Sequence, residues 1–184
     1  MPSHLCVGQR PVGIGRYTKV SDLCTALLPG KTETMPSAMI DTIVGPLSVT
    51  EQDGAIIRLS WQQEGADRTE LLDRAIEQLR AYFAGELTRF DLPLAVAGSD
   101  FQRAVCDAMF AIPFGETRTY GDIARDLKAP PQPIGNACGA NPIPVIIPCH
   151  RVLGANGLGG FSGAGGVETK VTLLKHEGAA GLLI

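Results

Sequence analysis

Cys149 and His150 stand side by side in the tetrapeptide Pro148-Cys149-His150-Arg151, directly after the apolar run Ile143-Pro144-Val145-Ile146-Ile147. Only the thiolate form of cysteine attacks well, and a free thiol titrates at about 8.5, so reaction near neutrality needs a base. A neighbouring histidine can be that base. Adjacent side chains often diverge, so the proton can pass by direct contact or through a water. A third group should orient the imidazole. Only two acids follow Cys149, Glu168 and Glu177, and Glu177, at the end of the last helical segment, is the better placed. The competing reading is a packed, inert cysteine, a common fate for this residue type.

These residues need elements to hold them. Residues 40–44, 47–51 and 55–61 read as short strands, with Gly45-Pro46 and Asp53-Gly54 as turns, so they form a β-meander. Residues 69–84 read as a helix whose apolar face is Leu71, Leu72, Ala75, Ile76, Leu79, Tyr82 and Phe83, read here as core. Residues 90–98 read as a linker to a second domain. Ser99 and Gln102 form a capping box that opens a helix to about Phe110, closed by Pro113. Thr119 caps a short helix over residues 120–127. A second short helix starts at Pro133, since proline fits a first helical turn, and ends before Asn141-Pro142. Such a pair suggests a helix-turn-helix. Residues 154–166 hold seven glycines, either a surface loop or backbone that must approach a ligand closely. A final helix covers residues 167–177. The expected division is an N-terminal extension over residues 1–36, with Met35 a candidate start, an α/β domain over 37–98 and a helical domain over 99–184. The fold class is therefore α+β.

The 184 residues suffice for one or two small domains with a real core, and 45% of them are apolar. No apolar run approaches the roughly 20 residues of a membrane helix, and no secretory signal is visible. The five cysteines, Cys6, Cys24, Cys106, Cys138 and Cys149, are scattered and contain no Cys-x-x-Cys pair. That argues against a disulfide scaffold and a structural zinc site, and for a reducing, cytoplasmic setting. The net charge is −3, and it is unevenly spread: residues 1–100 hold nine basic residues against 13 acids, residues 101–184 seven against six. The C-terminal half is the better candidate to meet phosphate.

Several separate motifs in colinear order carry a resemblance. Residues 116–178 resemble the C-terminal domain of the O6-alkylguanine-DNA alkyltransferases, the methylated-DNA–protein-cysteine methyltransferase family. The matching segments are Thr119-Tyr120-Gly121-Asp122-Ile123-Ala124, Ile134-Gly135-Asn136-Ala137 and Asn141-Pro142-Ile143-Pro144. They continue through Ile147-Pro148-Cys149-His150-Arg151-Val152, Gly160-Phe161-Ser162-Gly163 and His176-Glu177-Gly178. Residues 39–98 are similar to the family's N-terminal, ribonuclease H-like domain.

The resemblance implies direct-reversal DNA repair in a single turnover. Cys149 accepts the alkyl group from O6 of guanine, with O4-alkylthymine left open as a second substrate. His150 deprotonates Cys149 through a water, Glu177 polarises His150, and Asn141 braces the segment before the cysteine. Tyr120 donates to N3 of the flipped base, and Lys170 lies near the active site. Gly159, Gly160, Phe161 and Ser162 line the pocket. Gln132, Gly135, Ala137, Arg125 and Lys128 belong to the DNA-facing helix pair. Arg151 is expected to make a structural ion pair, and Cys138 to be packed. The implied partner is double-stranded DNA, entered from the minor groove by a monomer associated with a bacterial-type nucleoid. No cofactor, metal or membrane is implied.

The chain departs from the family where an arginine early in the second helix usually fills the gap left by the flipped base. Gln132 stands there, between Pro131 and Pro133. It can hydrogen-bond the orphaned cytosine but brings no charge, so DNA binding should be weaker or differently organised. Two rival functions remain: a non-enzymatic binder of DNA lesions on the same fold, and a Cys-His-Glu hydrolase. The presence of Cys149 argues against the first, and the helix-turn-helix motifs against the second.

Overall fold

The three strands form an antiparallel meander in the order β1-β2-β3, in the computed structural model, which describes residues 35–63 and 65–179. The expected extension at residues 1–36 lies, except for Met35 and Pro36, outside the described residues. β1 (Ser37–Thr42), β2 (Gly45–Gln52) and β3 (Ala55–Ser60) bury Ile40, Leu47, Val49, Ile56 and Leu59 on the face that meets helix α1 (Glu70–Phe83). Thr69 caps α1 by accepting from the amide of Leu72 at 3.1 Å. The first hairpin turn falls at Ile43-Val44, not at Gly45-Pro46, which begins β2. Thr42 decides this locally: its hydroxyl donates to the Gly45 carbonyl (2.6 Å) and accepts from the Val44 amide (3.2 Å). The second turn lies at Asp53-Gly54, as expected, and both residues take positive φ.

Residues 90–98 are more than a linker. The Ile56 amide donates to the Pro93 carbonyl (2.8 Å), the Ala95 amide to the Ile56 carbonyl (2.9 Å), and Phe90, Leu94 and Val96 are buried. An extended segment beside an open sheet edge satisfies its backbone there, which sequence periodicity cannot signal.

In the C-terminal half, α2 (Asp100–Phe110) starts at Ser99, whose hydroxyl accepts from the Gln102 amide at 3.1 Å. The reciprocal half of the expected capping box is not made. The Gln102 side-chain amide instead donates to the Ala137 carbonyl at 2.9 Å and so ties α2 to α4. Thr119 and Asp122 do form a complete capping box at the start of α3 (Tyr120–Asp126). Hydrogen bonds from Thr119, backbone first and hydroxyl second, lower the Asp122 carboxyl to about 2. α4 (Pro131–Gly139) begins two residues before the expected Pro133, so Gln132 lies in its first turn. Pro130 supplies the extended residue before the helix, and Pro131 is preset for its first position. α3 packs on α4, and α4 on α2. Two short parallel strands, β4 (Arg118–Thr119) and β5 (Val152–Leu153), pin the start of α3 to the chain just after the reactive tetrapeptide. α5 (Val167–His176) closes the structure, with Glu177 as its C-cap. A single buried cluster runs from Ile40 and Tyr82 through Ile134 to Cys149 and Leu173, so both halves share a core.

Candidate active site

The segment before the cysteine is held by one buried amide. Asn141 donates from its side chain to the Ile147 carbonyl (2.8 Å) and accepts from the Ile143 amide (3.0 Å), and the Ile147 amide closes back on the Ile143 carbonyl (2.8 Å). Inside this loop Val145 takes φ 71°, a left-handed backbone that a β-branched residue rarely adopts. Such a conformation costs about 1–3 kcal/mol and persists only where its surroundings over-determine it. Asn141 and the burial of Ile143, Val145, Ile146 and Ile147 do so here. The chain then turns through a single 3-10 turn, Cys149–Arg151, which buries all three side chains.

The Cys149 thiol is pushed up by burial, against the Asn141 side chain, the Lys170 charge and the amides of Cys149 and His150, which favour the thiolate. Nε2 of His150 lies 2.8 Å from Glu177 Oε1. Burial works against ionisation of Glu177, but hydrogen bonds from His150 and Arg151, with the Arg151 charge, hold its carboxyl well below the usual range. A carboxylate only accepts, so Nε2 of His150 carries the hydrogen and Nδ1 is left as a lone pair. That Nδ1 is buried and has no protein partner, so its lone pair is free to accept a proton. Burial also lowers the His150 pKa, ahead of the opposing pull of Glu177, so the imidazole rests neutral.

Arg151 makes the expected ion pair. Its guanidinium donates to both Glu177 oxygens (2.8 and 2.9 Å) and to the Ile112 carbonyl (2.5 Å), and it lies 5.9 Å from the Phe114 ring centroid. Lys170 is fully buried and donates to the carbonyls of Val152 (2.6 Å) and Gly160 (3.2 Å). Burial lowers its ammonium to about 8, with Cys149 and Cys138 pulling the other way. Lys170 thus joins the chain after Cys149 to the glycine loop.

Tyr120 reaches this loop from the other side. The β4–β5 pairing sets Thr119 opposite Leu153. Gly159 comes so close to the Tyr120 ring that a Cβ there would lie 2.9 Å from it. Phe161 is half-buried and Ser162 exposed on the same loop. Gln132, Arg125 and Lys128 are exposed on the helix pair, and Gly135 is half-exposed. Ala137 is buried on the same helix, and its carbonyl accepts from the Gln102 side chain. Cys138 is buried, as expected.

Three contacts from the N-terminal half escaped sequence reading. The Tyr82 hydroxyl donates to Glu177 Oε1 at 2.6 Å. The Leu59 amide donates to the Pro142 carbonyl at 3.0 Å, next to Asn141. Trp61 packs edge-on against Phe161, with ring centroids 5.9 Å apart, and a Cβ on Gly163 would lie 2.6 Å from it. Only the polar tip of Tyr82, on an otherwise apolar face, offered a signal in the sequence.

Residues 35–96 match the ribonuclease-like domain, and residues 100–179 the DNA binding domain, of 6-O-methylguanine DNA methyltransferase. A methylated-DNA–protein-cysteine methyltransferase of Mycobacterium tuberculosis is 43% identical over 149 residues, 75% of this chain and 89% of that protein. One of Methanosarcina acetivorans is 40% identical over 155 residues, 77% of this chain and 97% of that protein. The crystal structure of Mycobacterium tuberculosis OGT in complex with DNA superimposes with a TM-score of 0.69 at 42% identity, covering 78% of this chain and 92% of that one. With both domains matched in order and the relatives spanned almost end to end, the chain belongs to the 6-O-methylguanine DNA methyltransferase family.

Proposed function

We propose that this protein repairs DNA by direct reversal, moving the alkyl group of O6-alkylguanine irreversibly onto Cys149. The observation that carries the reading is the buried relay beside the thiol: Glu177 fixes Nε2 of His150 at 2.8 Å and leaves Nδ1 open as a base. His150 takes the thiol proton through a water, and the thiolate attacks the alkyl carbon in line with O6. The S–C bond forms as the C–O6 bond breaks, and its electron pair passes to O6 and the purine ring. Tyr120 donates to N3 as that charge builds, and Lys170 supports the thiolate and the Gly160 backbone. Donors set where charge develops are the main source of such acceleration. The thioether product has no route back to the thiol, so each molecule reacts once.

The alkylated atom is buried in the duplex, so the nucleotide must leave the stack, at a cost of a few kcal/mol. In this reading α4 enters the minor groove, Gln132 fills the gap, Gly135 lets the backbone approach, and Arg125 and Lys128 meet phosphate. Gly159, Gly160, Phe161 and Ser162 then line the base pocket. The protein works as a monomer, with an α/β domain over residues 37–98 and the acceptor domain over 99–184. A reducing cytoplasm, at the nucleoid, suits the free thiols of Cys106, Cys138 and Cys149.

Intact-protein mass spectrometry after incubation with duplex DNA containing O6-methylguanine tests the proposal. The expected result is a gain of one methyl group that Cys149→Ala abolishes. Lesion binding without mass gain would overturn it in favour of a lesion binder. Sustained turnover of an ester would overturn it in favour of a hydrolase.

A further inference from the structure

We propose that Tyr82, on α1 of the N-terminal half, is a positioning residue for the alkyl transfer: its hydroxyl fixes the Glu177 carboxylate that in turn fixes His150. The inference rests on the alkyl-transfer reading and adds that Cys149 becomes fully reactive only through a side chain from the other half of the molecule.

Glu177 sits at the end of α5, where a side chain gains no rigidity from a continuing helix. Its two oxygens are held from several directions. Oε1 accepts from Tyr82 (2.6 Å), His150 (2.8 Å) and Arg151 (2.9 Å), and Oε2 accepts from Arg151 (2.8 Å) and the Gly115 amide (3.4 Å). The Tyr82 bond is the shortest of these, and it comes from 95 residues away in sequence. Tyr82 cannot swing aside. Its ring lies 5.0 to 6.0 Å from those of Phe83, Phe90, Phe114 and His176, and its own carbonyl lies 2.8 Å from Nε2 of His176. Burial, with the Glu177 charge behind it, pushes the Tyr82 phenol far up, so it remains a donor throughout the working range.

Two consequences separate this role from simple packing. The first is geometric, because Arg151 bridges both oxygens while Tyr82 adds a further donor to Oε1, the oxygen that meets His150. The second is electrostatic. The charged and titratable groups that bear on His150 are Glu177, Arg151 and Lys170, with Tyr82 on Glu177 and His176 on the Tyr82 carbonyl. A donor on Oε1 draws charge from the carboxylate and weakens its hold on an imidazolium. Tyr82 therefore helps to keep His150 neutral, with Nδ1 free to accept. Without the hydroxyl, Oε1 favours protonated His150, which cannot act as a base.

The test compares Tyr82→Phe with Phe83→Leu, a packing control that keeps the hydroxyl, in single-turnover methyl transfer from lesion duplex across a range of pH. Transfer by the parent protein in the same assay tests the alkyl-transfer reading separately. Tyr82→Phe should slow transfer roughly tenfold at neutral pH, part of the 10²–10⁴ that a positioned base contributes. Its acid limb should move to higher pH, with duplex affinity unchanged. Phe83→Leu should lower the melting temperature without moving the limb. A Tyr82→Phe profile within twofold of the parent, with the limb in place, would overturn the proposal. So would an equal shift of the limb in Phe83→Leu.

Discussion

The acceptor cluster and the exposed face of the helix pair solve opposite problems. In the cluster Cys149, His150, Arg151, Lys170 and Glu177 are buried, and every oxygen of Glu177 is engaged by more than one donor. On the helix face Arg125 meets Asp122 at 3.1 Å, Arg118 meets Asp126 at 2.6 Å, and Gln132 reaches Asn136 at 3.4 Å, all partly or fully exposed. Buried pairs are hard to rearrange, because removing one partner strands a charge away from water. Exposed pairs are weak and easily exchanged for another anion. The buried cluster is thus set in advance, while the face proposed to meet phosphate keeps its cations loosely committed. α4 itself carries no basic residue, so the proposed binding face relies on its neighbours.

The largest effect that would break this contrast is Glu177→Gln. It leaves Arg151 buried beside a neutral group and should cost about 3–5 kcal/mol of stability in urea unfolding, with near-complete loss of methyl transfer. Little change in stability would show that the cluster is no more committed than the surface. The same variant tests the acid side. Glu177 is held below its ordinary pKa in the folded state, so its stabilisation is complete above about pH 4.3 and is lost as pH falls further. His150 is also lowered, so the unfolded chain takes up its proton first and stability begins to fall below about pH 6.5. Unfolding at a series of pH values should show both slopes in the parent, and Glu177→Gln should flatten the lower one.

Trp61→Ala should come next. It frees the loop that Phe161 and Gly163 press against Trp61, at about 2 kcal/mol, within the usual range for a partly buried truncation. Transfer should slow while duplex affinity holds, because the loop is proposed to line the base pocket. Trp61 is the sole tryptophan, so its fluorescence in the parent should also respond when Cys149 is alkylated. The smallest effect on the fold belongs to Gln132→Arg, which should change stability by no more than about 0.5 kcal/mol. It should tighten lesion-duplex binding and steepen its salt dependence by up to about 0.9 in log–log slope, because it adds one positive charge inside the duplex. Anisotropy titrations over a range of salt would read this directly. Unchanged affinity and repair rate would remove Gln132 from the binding face.

Much of this was legible from residue order alone. The short runs at residues 40–44, 47–51 and 55–61 with turn residues between them mark a meander, and the spacing from Leu71 to Phe83 marks a helix with one apolar face. Cys149, His150 and Asn141 lie within nine residues of one another, so chain geometry makes their association local. Glu177 stands out because only one other acid, Glu168, follows the cysteine. Local details differ from the pattern where neighbours compete for the same groups. Gln102 spends its side chain on Ala137 instead of its own helix start, Thr42 moves the first hairpin turn, and Pro130 lets α4 begin early.

Tertiary structure alone decided what the buried faces touch. Periodicity shows that Tyr82 points inward, but not that its hydroxyl ends on Glu177, 95 residues later. Nor does it show that Trp61 meets the glycine loop or that Leu59 holds the chain beside Asn141. The sequence determined that Cys149 and His150 stand side by side and which elements carry them, because those follow from bonded neighbours and short-range pattern. Which half of the molecule completes the base depends on how two apolar faces pack into one core. That packing sums many weak contacts across long separations, and no local run of residues encodes it.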